Sequence, residues 1–293
     1  MRSRMIPLFI LLSWALFFGF SANREPAGKS LKIMTFNIRY GTAPDGNYQW
    51  SNRQEHVYRL LQEQAPDIIG LQEALHFQNQ AILEHVAGYE CLGVGRDDGD
   101  TSGEYSAILY RAQRLQVRNQ GTFWFSQTPD VPGSKHWGNS ITRICTWAHF
   151  EDDSSGRSFY VYNLHLDHQS QPSREKSIDL LLDKIDQRDN RDPVIVTGDF
   201  NAGENNPAVI SLLKYKKRFF RPSYFIDSFR LLHPQDTNVG TFHGFSDQAG
   251  EDKIDYIFVD RRLEVKAAEI LRVQPPDMYI SDHYPVTATI ILN

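Results

Sequence analysis

Six short polar segments, each abutting an apolar run, carry the side chains with which this chain could do chemistry. They are Asn37 in Thr35-Phe36-Asn37-Ile38-Arg39, Glu73 in Gly70-Leu71-Gln72-Glu73, and His165 in Asn163-Leu164-His165-Leu166-Asp167. Asp199 and Asn201 follow in Thr197-Gly198-Asp199-Phe200-Asn201, then Asp255 in Lys253-Ile254-Asp255-Tyr256, and Asp282-His283 in Ser281-Asp282-His283-Tyr284-Pro285. Singly each has a plain explanation: a turn cap for Asn37, a solvated Glu73, a turn at Gly198-Asp199. Six at strand ends point to a site. Carboxylate and amide oxygens suit a hard divalent cation such as Mg²⁺, with Mn²⁺ an alternative. Such an ion polarises a phosphoryl oxygen, a carboxylate orients water, and an imidazole protonates or hydrogen-bonds the leaving oxygen. The chemistry that follows is hydrolysis of a phosphodiester or a phosphomonoester. Zinc fits less well, because there is no Cys cluster and no His pair spaced i, i+4 around a Glu. No G-x-S-x-G elbow supports a serine nucleophile, and no G-x-G-x-x-G a dinucleotide.

Those residues need strands to hold them. β-branched and aromatic runs at 31–36, 68–71, 107–110, 142–150, 158–164, 194–197, 256–259 and 286–292 have strand lengths. Helical periodicity occupies 53–64, with Val57, Leu60 and Leu61 on one face, then 77–86 and 173–185. The aromatics of 121–125, Trp137 and those of 241–245 are expected in loops. There they either stack on a base or sugar or pack between layers, with packing favoured for Phe123 and Phe125. With no linker, repeat or composition shift beyond Leu31, residues 31–293 are expected to form one domain.

Arg2 and Arg4 precede a nearly unbroken apolar run, and small residues follow at Gly19, Ser21 and Ala22. Residues 1–22 therefore read as a secretory signal peptide and the protein as exported, an uncleaved membrane anchor being the alternative. A net charge of −5 with mixed signs gives no basic face for tight binding of duplex DNA. The basic run at 214–218 with Arg221 reads as a solvated helix end or loop. Cys91 and Cys145 are expected as thiols, a disulfide being unnecessary at this size. A monomer is the expectation.

In their order, spacing and flanking residues, Thr-Phe-Asn (35–37), Leu-Gln-Glu (71–73), Asn-Leu-His-Leu (163–166), Gly-Asp-Phe-Asn (198–201), Lys-Ile-Asp-Tyr (253–256) and Ser-Asp-His (281–283) resemble the endonuclease/exonuclease/phosphatase superfamily. The resemblance implies an α/β four-layer sandwich, two packed mixed β-sheets flanked by helices. It implies Glu73 as principal metal ligand with Asn37 and Asp282 beside the ion. It makes Asp199 the residue that orients or deprotonates water, and Asn201 a partner of the phosphoryl oxygen. It sets His283 on the scissile phosphate, held by Asp255, and His165 as a second active-site histidine. Glu104 is expected to pair with His165, and Arg143 to contact phosphate. The substrate stays open among nucleic acid, lipid (a sphingomyelinase) and sugar or inositol phosphate. A binding protein that kept the fold and lost catalysis is the rival from another class.

Overall fold

A computed structural model describes residues 30–215, 224–276 and 278–292. The expected leader at 1–22 lies outside the described residues, as does most of the basic run at 214–221. Among the described residues no helix is long and apolar enough to cross a membrane.

Two six-stranded sheets form the centre. The first runs, edge to edge, β11 (Glu264–Ile270), β12 (Val286–Ile291), β1 (Ser30–Asn37), β2 (Ile68–Gln72), β4 (Ile108–Arg111), β3 (Tyr89–Leu92). The second runs β5 (Leu115–Trp124), β6 (Ile144–Asp152), β7 (Arg157–His165), β8 (Val194–Asp199), β10 (Asp255–Asp260), β9 (Phe225–Asp227). Each sheet holds one parallel pair, β1–β2 and β7–β8, joined by α1 (Trp50–Gln64) and α3 (Gln171–Asp186) respectively. A parallel pair needs such a crossover, and the helix must then cover the outer face. α2 (His76–His85), α4 (Pro207–Lys214) and the short α5 (Ser228–Leu232) complete the described helices.

α1 buries Val57, Tyr58, Leu60 and Leu61 against the first sheet and ends where Ala65 turns left-handed (φ 44°) before Pro66. α3 begins on a Ser170 cap whose Oγ accepts from Ser173 N, and it buries Ile178, Leu181, Leu182 and Ile185 against the second sheet. Between the sheets, Ile33, Ile68, Phe150, Phe159, Ile195 and Ile257 interdigitate in a third core. Each such side chain contributes about 1.5–3 kcal/mol by leaving water. The four-layer arrangement is the one expected.

Asn163 locks the sheets together. From β7 its Nδ2 donates to Leu71 O (2.9 Å) and Ala107 O (2.8 Å) in the facing sheet. Its Oδ1 accepts from Gln72 Nε2 (2.7 Å) and Thr197 Oγ1 (3.0 Å). Gly70 leaves room for this: a Cβ there would stand 2.5 Å from Asn163 Oδ1. A fully satisfied buried amide fixes one relative position of two sheets that apolar packing alone would let slide.

Some expectations need correction. Residues 121–124 lie in β5, not a loop, and Phe123 and Phe125 are buried in the second core. β5 carries Gln116, Arg118, Asn119 and Gln120 and lacks an apolar run, because it is an edge strand with one wet face. β3, β9, β11, α4 and α5 likewise lie outside the expected runs. Cys91 and Cys145 are free thiols.

Candidate active site

All six polar segments meet at one rim. β1, β2, β7 and β8 deliver residues at their C-terminal ends, whereas β10, antiparallel to β8, delivers Asp255 at its start. Register pairs Asp199 with His165 on one side and with Asp255 on the other. β12, antiparallel to β1, starts at the same rim, so Asp282-His283 precedes it there.

Asn37 stitches the two sheets across this rim. Its Nδ2 donates to Glu73 Oε1 and to Asp199 Oδ2, both at 3.0 Å, and its Oδ1 accepts from Arg39 N at 3.0 Å. Expected as a metal neighbour, Asn37 sets the carboxylate of Glu73. Glu73 Oε2 accepts from Tyr40 N at 3.2 Å. Arg39 Nη1 lies 4.0 Å from Glu73 Oε2 and 3.7 Å from Asp282 Oδ2, so the two carboxylates converge. Burial first, then repulsion from Glu73, raises the pKa of Asp282. Two converging hard-oxygen donors that repel one another fit a divalent cation. Asp199, Asp255 and His283 also offer ligand atoms within 4.8 Å of one another. There Nδ1 of His283 is already taken by Asp255, so the Glu73 side fits the ion better.

Among the described residues, three of the six non-glycine residues with positive φ sit here: Arg39 (60°), Glu73 (61°) and Asn201 (46°). Asn tolerates this region, but Arg and Glu hold it at a cost of about 1–3 kcal/mol each. The surroundings impose it. Fully buried Arg53 donates to Ile38 O (2.6 Å), Arg39 O (2.9 Å) and Ile280 O (3.1 Å), clamping the chain beside Arg39 to the chain entering Ser281-Asp282.

His283 Nδ1 lies 2.8 Å from Asp255 Oδ2, and its Nε2 lies 3.8 Å from Asp199 Oδ2. An oxygen that only accepts places the proton on Nδ1. Burial opposes the charge of His283, but Asp255, Asp199 and Asp282 outweigh it and push the pKa up to about 10. Burial and then Asp255 push Asp199 up to about 7. Asp199 is thus a base near neutrality beside a charged acid.

His165 Nε2 lies 3.0 Å from Asn201 Nδ2, which also donates to Leu166 O at 3.0 Å. Because a carbonyl only accepts, both Asn201 amide protons are donated, and His165 accepts at Nε2 with its proton on Nδ1. Burial, then Arg143 and Arg96, depresses the pKa of His165, so the ring is neutral. The expected Glu104–His165 pairing is not made: Glu104 binds Arg96 bidentately at 2.6 and 2.8 Å, and burial raises its pKa to about 7. Glu104, Arg96, Arg143 and His165 nonetheless line one small cleft. Arg143 is buried, hydrogen-bonded to His168 Nδ1 at 2.8 Å, with Nε 3.5 Å from Asp167 Oδ2. Sequence reasoning missed Arg39, Arg53, Arg96 and Thr241, whose Oγ1 accepts from Asp255 N at 3.1 Å. For Arg39 the signal was its place two residues after Asn37; the others had none.

Two facing sheets with a carboxylate, amide and imidazole cluster at one rim define a phosphoester hydrolase. The chain belongs to the Endonuclease/Exonuclease/phosphatase family, whose model matches residues 34–283. Its members are divalent-metal-dependent phosphoester hydrolases, and this protein is one. An endonuclease/exonuclease/phosphatase from Bacteroides vulgatus is 33% identical with a TM-score of 0.81, covering 90% of this chain and 99% of that one. The mannosyl-6-phosphatase of Bacteroides thetaiotaomicron is 31% identical with a TM-score of 0.81, covering 89% of this chain and 99% of its own. Drosophila melanogaster Nocturnin is 24% identical over 88% of this chain, which spans only 46% of that protein's length.

Proposed function

We propose that the protein is an exported, Mg²⁺-dependent phosphomonoesterase acting on a phosphorylated sugar. The observation that carries hydrolysis is the unbroken line Glu73–Asn37–Asp199, joining a cation-binding carboxylate to a base tuned near neutrality, with the Asp255–His283 pair facing it. The sugar is supported by the 31% identity to a mannosyl-6-phosphatase almost all of whose length is covered. Export is supported by the leader-like composition of residues 1–22.

Glu73 and Asp282 would hold Mg²⁺, or Mn²⁺, which when bound supplies charge to the phosphoryl oxygens. Asp199 takes the proton of the water that attacks phosphorus, and Asn201, whose amide protons are both engaged, orients that water through its Oδ1 instead of bonding the phosphoryl oxygen. The new P–O bond forms as the ester P–O bond breaks, without a covalent enzyme intermediate. His283 donates its Nε2 proton toward the leaving alkoxide, while Asp255 keeps the imidazole in line and charged. Arg143 lines the opposite side as a donor to the phosphate, beside the neutral ring of His165.

The test is hydrolysis of hexose 6-phosphates, bis-p-nitrophenyl phosphate, plasmid DNA and sphingomyelin with Mg²⁺ or Mn²⁺. Hexose phosphate is expected as the best substrate, with EDTA and Glu73→Ala abolishing turnover. Inactivity on all four, or activity untouched in Glu73→Ala, sinks the reading. DNA or sphingomyelin as the best substrate replaces the sugar.

A further inference from the structure

Phe242 is one of six large apolar side chains left exposed among the described residues, at 43%. Its ring centroid lies 5.0 Å from that of His283, tilted by 60°. Its backbone is fixed. Phe242 forms an antiparallel bridge with His283, Gly250 N donates to Phe242 O at 2.8 Å, and Tyr284 N donates to Thr241 O at 2.7 Å. The preceding Thr241 Oγ1 accepts from Ile254 N and Asp255 N, tying the same loop to the carboxylate that holds His283. Behind the ring lies Gly244, where an added Cβ would stand 3.3 Å from Phe242 Cζ. The aromatic ring thus stays open to solvent directly beside the acid group, where an expelled alcohol would meet it.

We propose that Phe242 is a specificity-determining residue, a platform on which the C–H face of a pyranose leaving group stacks while its ester oxygen meets His283. This rests on the reading of a sugar phosphate given above. The place follows from the neighbour: whatever touches the ring beside the proton donor is the alcohol being expelled. The chemistry follows from the face: an aromatic ring attracts a flat apolar surface through dispersion and its quadrupole, and a short linear polyol offers no such surface. The platform therefore acts on ring-bearing alcohols and leaves the phosphoryl centre alone.

The experiment measures kcat/KM for wild type, Phe242→Ala and Phe242→Trp on a hexose 6-phosphate and on glycerol 1-phosphate, both with Mg²⁺. In Phe242→Ala the ratio of hexose to glycerol substrate should fall about tenfold, and Trp should restore it. An unchanged ratio, with both substrates falling together or neither falling, overturns the platform. A nucleoside 5′-phosphate forms a third arm: a loss confined to it assigns the surface to a base and overturns the pyranose. A wild type that hydrolyses bis-p-nitrophenyl phosphate but neither monoester overturns the sugar-phosphate reading itself, an outcome separate from an unchanged ratio.

Discussion

His283 and His165 approach the same carboxylate oxygen, Asp199 Oδ2, from opposite walls of the cleft, with Nε2 at 3.8 and 3.5 Å. Both are buried, and burial alone would discharge both. They diverge because of what stands behind them. Asp255 backs His283 and, with Asp199 and Asp282, drives its pKa up to about 10. Arg143 and Arg96 flank His165 and add to burial in driving its pKa down. One wall of the site is thus an acid that carries a proton, and the other a neutral ring whose Nε2 is held by Asn201. The residue type does not set the role; the charges that stand behind each ring do.

This contrast can be broken at several points. The largest effect is expected from the acid itself: His283→Ala should lower kcat by about 10³-fold, against about tenfold for His165→Ala, measured on the best phosphoester substrate. Equal losses would erase the distinction. Asp255→Asn should follow, with a loss of about 10²-fold. It should also move the alkaline limb of the pH–rate profile to lower pH, because burial then acts on His283 without its main opposing charge. A limb that stays in place would show that Asp255 does not set the charge of His283.

The stability of metal-free protein should carry the two signs separately, read as urea midpoints in EDTA across pH. His283 has a folded pKa of about 10, above the unfolded value of about 6.5. Its contribution is complete below pH 6.5 and is lost as pH rises through about 10, a loss that Asp255→Asn should flatten. The folded pKa of His165 is depressed, so its contribution is present above the unfolded value and is lost as pH falls below about 6.5. His165→Asn should flatten that acid loss. The smallest effect is local: Arg143→Gln should raise the pKa of His165, read from its imidazole carbon shifts by NMR, with His283 unmoved.

Much of the centre was legible in the chain because each functional residue sits beside a hydrophobic strand, and strands announce themselves by apolar runs. Asn37, Glu73, His165, Asp199, Asn201, Asp255, Asp282 and His283 do come together. Less legible were positions whose meaning depends on a partner far along the chain. Glu104 looked available to His165, yet Arg96 turns back across the loop and takes both its oxygens. Arg53 opens the expected helix at 53–64 with nothing in its spacing to mark it, yet its fork closes three backbone carbonyls near the site. Edge strands β5 and β11 escaped notice because their exposed faces break the apolar pattern.

By itself the sequence determined the strand ends, the residue types placed on them and their order. That sufficed for the family and for the kind of reaction, because hard oxygen donors, a base and imidazoles leave few chemistries open. Only the tertiary structure decided which histidine is backed by carboxylates, which carboxylates converge on one another and which aromatic faces solvent. Those properties depend on distances of 3–4 Å between side chains on different sheets, and no spacing along one strand encodes the Coulomb field of another.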